Sequence, residues 1–461
     1  MKEKILNILS DLRSYALQKG YEVTVFYHEE DSYLMRFANS AISLNTNEHL
    51  IRLEITAYAG NKRASYELIT NLDKVDEMKQ GIDIAAEMAQ HAQPLNYQPT
   101  IPAFEQSFAD ESGYDPALAQ ISNEERLAYF NRAVAGLETE DIKLSGVFTN
   151  GANTIAQITT RSEHTQYFKT SDAQVTAVLA HSKLKWEVQS EQSAQQKSDL
   201  NADQVHAELA FLLNHYQQDP SLQIPLGNYK IVFGASAIAD IVNIMNWIGF
   251  SGGSLKRGYS FLTEGQTGQK VFSDKFSLTD DPSCRETFPF QYDLAGIERK
   301  PFKIFEQGVF QGFTWYQDDA DEFGATPTGH NVMHKSLVVG SGSQPVDSLE
   351  ELVAQPRQED ILYIPFLHYM NIVNPSKGVF TASSRFGALL LKKDGSVEVP
   401  YNVRVTQSVF DIFGDKLEWL SGSSTPYNTS SSYGARNPTA LIVPKFICIN
   451  NLEISHSNSS Y

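Results

Sequence analysis

The chain has 461 residues, 41% of them hydrophobic and 20% charged, with a formal net charge of −18. That length implies about two to four domains of roughly 100–200 residues, and the composition is globular rather than disordered. So acidic a chain opposes direct contact with a nucleic acid, because each phosphate needs a cationic partner, and two cysteines, Cys284 and Cys448, allow at most one disulfide.

The first predicted element is a helix, with Ile5, Ile8, Leu9, Leu12 and Ala16 on one face and Lys19-Gly20 as its stop. Residues 1–20 have neither the apolar run nor the cleavage site of a secretion signal, and no stretch of ~20 apolar residues occurs. A cytoplasmic, reducing compartment with no membrane span is expected. Tyr21 to Tyr27 alternates as a strand, and His28-Glu29-Glu30-Asp31-Ser32 reads as a solvated polar turn. His28 and Glu29 lack a second histidine at helical spacing, which argues against zinc. Leu50 to Tyr58 alternates with one packed and one wet face, and Val75 to Ala92 reads as a helix with Ile82, Ala85, Ala86 and Met88 inward. Together these predict a two-layer α+β subdomain over residues 1–92.

Pro94, Pro99, Pro102 and Pro116 mark residues 93–117 as an extended connector. A second α+β subdomain is expected over residues 118–222. Its first helix opens at Ser122-Asn123-Glu124-Glu125 and runs to about Gly136. Residues 143–160 and 162–185 read as short strands, and Asn150-Gly151 between apolar pairs is a hairpin signal. Ala202 to Gln217 is amphipathic again, and the spacing of its His206 and His215 does not chelate, so both read as surface residues. Asp219-Pro220 and Pro225-Leu226-Gly227 punctuate the boundary with residues 223–461.

Tyr229 to Phe233 reads as a buried strand that stops at Gly234. Ile238, Ile241, Val242, Met245 and Ile248 then recur at helical spacing, with Ser236 as N-cap and Gly249 as terminator. Ser251-Gly252-Gly253-Ser254 is a corner whose glycines permit positive φ. Strands and turns follow: Ile304 to Phe313 around Gln307-Gly308, Asn374 to Leu391, and Val397 to Val405 beyond Asp394-Gly395. They predict a β-rich, barrel-like antiparallel C-terminal domain around the helix. Ser421 to Ser432 reads as a Ser/Thr-rich loop and Ser455 to Tyr461 as a polar tail. No repeat of 20–50 residues appears.

The strand, the helix, the SGGS corner, Val271 to Phe276 and the turn Asp280-Asp281-Pro282 resemble a characteristic segment of the TldD/PmbA family. Arg36-Phe37-Ala38-Asn39 with Ile42 adds to the resemblance, as does Phe288 to Gly296, although Ala295 stands where the family has an acid. In the TldD branch the helix carries H-E-x-x-x-H, two zinc-binding histidines and a general-base glutamate. Residues 236–249 contain neither His nor Glu, so the resemblance points to the PmbA branch, also called TldE. It implies a non-catalytic subunit, with no catalytic, cofactor or metal residue of its own, that joins a TldD-like zinc protease subunit to degrade or process unfolded peptides. The active branch also uses a C-terminal cysteine, and Ser431 to Arg436 offers no thiolate at the matching segment. Cys448 lies in an apolar run, where a buried thiol is inert.

Two other functions stay open. His330 and His334 share one face in a helix or a strand, so a self-contained metallohydrolase using them with a distant carboxylate is an alternative, though no glutamate stands between them to activate water. A regulatory binding protein is the other, as the family's older gyrase-modulator label implies, and a homodimer is possible without a partner. Asp318-Asp319-Ala320-Asp321-Glu322 and Lys256-Arg257 read as solvated turn charges. Gly249-Phe250-Ser251-Gly252-Gly253 spells G-x-S-x-G but follows a helix, whereas a nucleophile elbow follows a strand. No phosphate-binding glycine loop is present.

Overall fold

The computed structural model describes residues 1–217, 221–429 and 436–458. The first half comprises α1 (Lys2–Gln18), β1 (Glu22–Ala38), β2 (Ala41–Ala59), β3 (Lys62–Thr70), α2 (Val75–His91), β4 (Phe108–Gly113) and α3 (Pro116–Ala119). Then come α4 (Asn123–Ala133), β5 (Ile142–Thr159), β6 (Thr165–His181), β7 (Glu187–Ala194) and α5 (Ala202–Tyr216). Their strands form one seven-stranded sheet in the order β3-β2-β1-β5-β6-β4, with β7 also on β6. The sheet draws on residues 1–92 and 118–222 alike, and β4 inserts a strand into the proline-rich connector. α1 and α2 bury Leu9, Leu12, Ile82 and Ala85 with Val25, Leu53 and Ile55 of the sheet. The inward face of α2 includes Met78 and Ala89, while Met88, expected inside, is exposed.

Two expected turns are strand interior. β1 continues through His28 to Ser32, pairing with β2 on one side and β5 on the other, so His28, Glu29 and Glu30 are buried rather than solvated. Burial is tolerable because polar partners meet them: His28 Nε2 lies 2.8 Å from Asn153 Oδ1, and Glu30 lies 3.1 Å from Arg52. β5 likewise passes through Asn150-Gly151 without reversing. Asn150 spends its amide on the carbonyls of Leu118 and Ala119, each at 3.1 Å, and Gly151 lets β1 approach, since a Cβ there would stand 2.0 Å from the Asp31 carbonyl oxygen. The hairpin between β1 and β2 turns at Asn39-Ser40, both left-handed at φ 51° and 63°.

The second half runs β8 (Gly227–Gly234), α6 (Ala235–Ile248), α7 (Gly252–Lys256), β9 (Leu278–Asp280), β10 (Phe302–Glu306), β11 (Val309–Phe310), α8 (Gln317–Phe323) and β12 (Leu337–Val339). It continues as α9 (Leu349–Ala354), β13 (Ile361–Ile364), β14 (Phe366–Asn374), β15 (Val379–Arg385), β16 (Leu389–Leu391), β17 (Val397–Glu398) and β18 (Asn402–Ser408). It ends with α10 (Val409–Phe413), β19 (Leu417–Leu420), β20 (Ser424–Asn428), β21 (Ala440–Pro444) and β22 (Phe446–Asn458). Among the described residues these strands form a six-stranded sheet, β11-β10-β9-β12-β21-β20, and a nine-stranded one, β14-β15-β18-β22-β8-β13-β16-β17 with β19 on β22. Both are mainly antiparallel, with parallel pairs at β8/β13 and β12/β21. The α+β class stands as expected, but among the described residues each sheet is open and none closes into a barrel. β20 and β22 also put strands into stretches read as loop and tail, whereas Asp219-Pro220, residues 430–435 and residues 459–461 lie outside the described residues.

α6 is the axis of this half. Ile238, Ile241, Val242, Met245 and Ile248 enter one core with Phe233 of β8, Leu441 of β21 and Ile447 of β22, so the helix is packed between the two sheets. Gly252 and Gly253 start α7 without positive φ; they are needed for close approach, a Cβ meeting Trp315 at 2.3 Å and the Asp319 carboxylate at 2.1 Å.

Candidate functional site around helix α6

Gly234, not Ser236, is the N-cap of α6. Ser236 sits one residue inside the helix and places its hydroxyl 2.6 Å from Tyr427 Oη on β20. Asp240, Asn243, Ile244 and Trp247 continue from Ser236 at intervals of three and four, and this face is the less buried one, with Trp247 72% exposed. β7 adds Glu191, which lies against Tyr427 and Ser236. Burial pushes the Asp240 and Glu191 carboxyls each up to about 7, and Asp240 adds repulsion at Glu191. The Tyr427 phenol is driven well above its ordinary value, first by burial and then by those two acids. The result is a protonated acid and hydroxyl cluster that can hold or release a proton near neutrality and carries no imidazole. Farther along, Asn246 Oδ1 accepts a hydrogen bond of 2.9 Å from Lys335 Nζ, which also reaches Tyr316 Oη at 2.9 Å.

His330 and His334 serve the packing of a different region. His330 Nδ1 lies 2.8 Å from Thr328 Oγ1, and its Nε2 stands 2.9 Å from Asp280 Oδ2 as an ion-pair contact. Asp280 is also gripped by Arg299 at 2.7 and 2.8 Å and by the Ser336 amide at 2.6 Å. His334 Nε2 donates to the carbonyls of Phe288 at 2.8 Å and Thr287 at 3.2 Å. Burial lowers its pKa to about 4, leaving the ring neutral. Among the described residues, no three His, Cys, Asp or Glu side chains converge to hold a metal ion.

Lys256 and Arg257 are exposed, as expected of turn charges, and they and the acidic run also find partners within the chain. Arg257 pairs with Asp319 at 2.7 Å and with Glu322, Lys256 pairs with Glu264, and Asp318 receives Arg63 of β3 at 2.7 Å. His206 is half-buried rather than on the surface and lies 3.2 Å from the Ala133 carbonyl. Both cysteines are free; Cys448 is buried, and burial raises its thiol pKa. Of the segment Ser431 to Arg436 only Arg436 is described. Its guanidinium donates to Asp172 Oδ1 at 2.8 Å and to the Asp172 carbonyl at 3.0 Å, and its backbone amide donates to Glu30. Sequence reading missed this buried nest, because Asp172 and Arg436 are each the single charge of their stretch and meet only across 264 residues.

No helix among the described residues is long and apolar enough to cross a membrane. Residues 226–456 match the family model described as the PmbA/TldA metallopeptidase C-terminal domain. A search of curated proteins finds no match. Three solved structures share the fold at low identity. TldE from Thermococcus kodakarensis has a TM-score of 0.80 and 17% identity, covering 98% of this chain and 100% of its own. A candidate DNA gyrase modulator from Bacteroides thetaiotaomicron follows at 0.77 and 16%, covering 97% and 98%. Another from Thermotoga maritima stands at 0.74 and 15%, covering 97% and 99%. The strand β8, the sandwiched helix α6 and, but for the last two residues of β22, the two sheets around it fall within the matched residues, and this chain belongs to the PmbA/TldD family.

Proposed function

We propose that this chain is the non-catalytic, PmbA/TldE-like subunit of a cytoplasmic TldD-type metalloprotease that degrades or processes unfolded peptides, with zinc and hydrolysis in the partner subunit. One observation carries the reading: the less buried face of α6 offers Ser236, Asp240, Asn243 and Trp247, with no His or Glu anywhere on the helix. A catalytic zinc needs three protein ligands and an open position for water, and a lone carboxyl that keeps its proton to about pH 7 is a poor start on that set. The likeness in fold to TldE from Thermococcus supports the same role.

Affinity purification from the native host tests it. A subunit bearing H-E-x-x-x-H should accompany this chain, and cleavage of an unstructured peptide should require both, stop on chelation and return with zinc. Cleavage by the isolated zinc-loaded chain, lost on substituting its own residues, would refute the proposal. A second reading, a regulatory protein acting through protein contact, draws on the names given to the Thermotoga and Bacteroides structures and on the net charge of −18. Recovery of gyrase in place of a protease subunit would select it.

A further inference from the structure

A groove of about 620 Å³ runs between the edge strand β4 and the loop after β9, with Phe108, Phe168, Phe288 and Tyr292 among its walls. A second space of about 20 Å³ adjoins it and shares Phe168, Thr170, Phe288 and Pro289 as walls. Two residues lining this recess carry polar atoms that have no hydrogen-bond partner among the described residues: Asn153 Nδ2, on a side chain only 1% exposed, and His334 Nδ1. Their chemical senses are fixed by bonds already made. Asn153 Oδ1 is taken by His28 Nε2 at 2.8 Å, leaving Nδ2 to donate; His334 Nε2 carries the proton shared by two carbonyls, leaving Nδ1 to accept. Leaving a buried donor or acceptor unmet costs about 1–3 kcal/mol each. The recess therefore suits a small group that accepts and donates at once, and its size, close to that of one water, leaves room for a hydroxyl and little more.

We infer that the recess is a subsite for the side-chain hydroxyl of a serine or threonine, carried by an extended peptide lying in the adjoining groove. The peptide is favoured as carrier because β4 ends its sheet and so presents an open strand edge, and because the groove walls are aromatic. This deepens the peptide-handling reading above and rests on it.

The test uses the full chain labelled with 15N-histidine and three probes: acetyl-Gly-Gly-Ser-Gly-Gly-amide, its alanine counterpart, and glycerol. The serine peptide should move the His334 Nδ1 resonance saturably and bind at least about tenfold tighter than the alanine peptide. Asn153→Asp keeps an oxygen toward His28 but removes the donor, and should bring the two peptides to equal affinity with the fold retained. Equal affinities in the unsubstituted chain with a stationary His334 signal would overturn the subsite, leaving the recess to a fixed water. A shift with glycerol and no preference between peptides would overturn the peptide assignment. Failure of the subunit reading would show separately, as the absence of a protease subunit in the native purification.

Discussion

Asp240 and Glu191 make stability depend on pH in a direction opposite to that of a salt-bridged acid. Their ordinary values are 3.8 and 4.5, and burial raises both to about 7, so the folded chain holds protons that the unfolded chain has released. The stability they contribute is fully present below about pH 4, falls as pH rises toward 7, and is gone above it. Each tenfold change in proton affinity is worth about 1.4 kcal/mol, so the effect for the pair has an upper bound of about 8 kcal/mol before solvent screening reduces it. Urea unfolding at pH 5 and pH 8 should show that loss, and Asp240→Asn, which mimics the protonated acid, should shrink it by about half; parallel pH dependences would refute the assignment. Asp280 behaves in the contrary way. Burial alone would raise its pKa, but the hydrogen bond from His330 and the charge of Arg299 override this and hold it well below the usual carboxylate range. Its stabilisation is present above its ordinary value of 3.8 and is lost only in strong acid. Asp280→Ala strands a buried guanidinium beside His330 and should cost about 3–5 kcal/mol in the same assay. A cost under about 1 kcal/mol would mean that solvent reaches the knot.

At the scale of elements, those with a strong period were legible and those defined by distant partners were not. α1, α2, α5 and α6 each announce an apolar stripe, and the capping box Ser122/Glu125 fixes the start of α4. The central strands hide because His28, Glu29 and Glu30 read as solvent-facing until β5, more than a hundred residues on, supplies Asn153 beside them. Asn150-Gly151 misleads for a related reason. Its glycine answers the approach of β1 across the sheet rather than a turn, a need no local pattern records. The acid and hydroxyl cluster on α6 was half visible, since Ser236 and Asp240 share a helix face, but Glu191 and Tyr427 arrive from β7 and β20. Gly151→Ala separates the two accounts of that glycine. A Cβ 2.0 Å from a backbone oxygen in a fully paired strand should cost several kcal/mol, on the order of the largest single-substitution effects, and lower the thermal midpoint sharply. A turn glycine free of φ strain would tolerate alanine with almost no change.

Across the whole molecule, the two halves share an apolar core, in which Leu212 and Tyr216 of α5 lie with Val232, Leu389 and Phe446 of the C-terminal half, and polar ties add to it. Ser236, Tyr427 and Glu191 form one tie, Arg63 and Asp318 a second, and the nest of Glu30, Asp172, Asn428 and Arg436 a third. The third is the most buried, and desolvation makes it conditional: the ion pair between Arg436 and Asp172 offsets the cost of burying each charge only while both are present. Arg436→Met should therefore cost about 3–5 kcal/mol, because among the described residues the Asp172 carboxylate then keeps only the 3.2 Å bond from Asn428. Adding Asp172→Asn removes the stranded charge, so the double variant should be more stable than Arg436→Met alone, with a coupling above about 1 kcal/mol in a double-mutant cycle. If the two losses simply add, Arg436 and Asp172 do not share their burial cost, and the halves are held chiefly by their common apolar core.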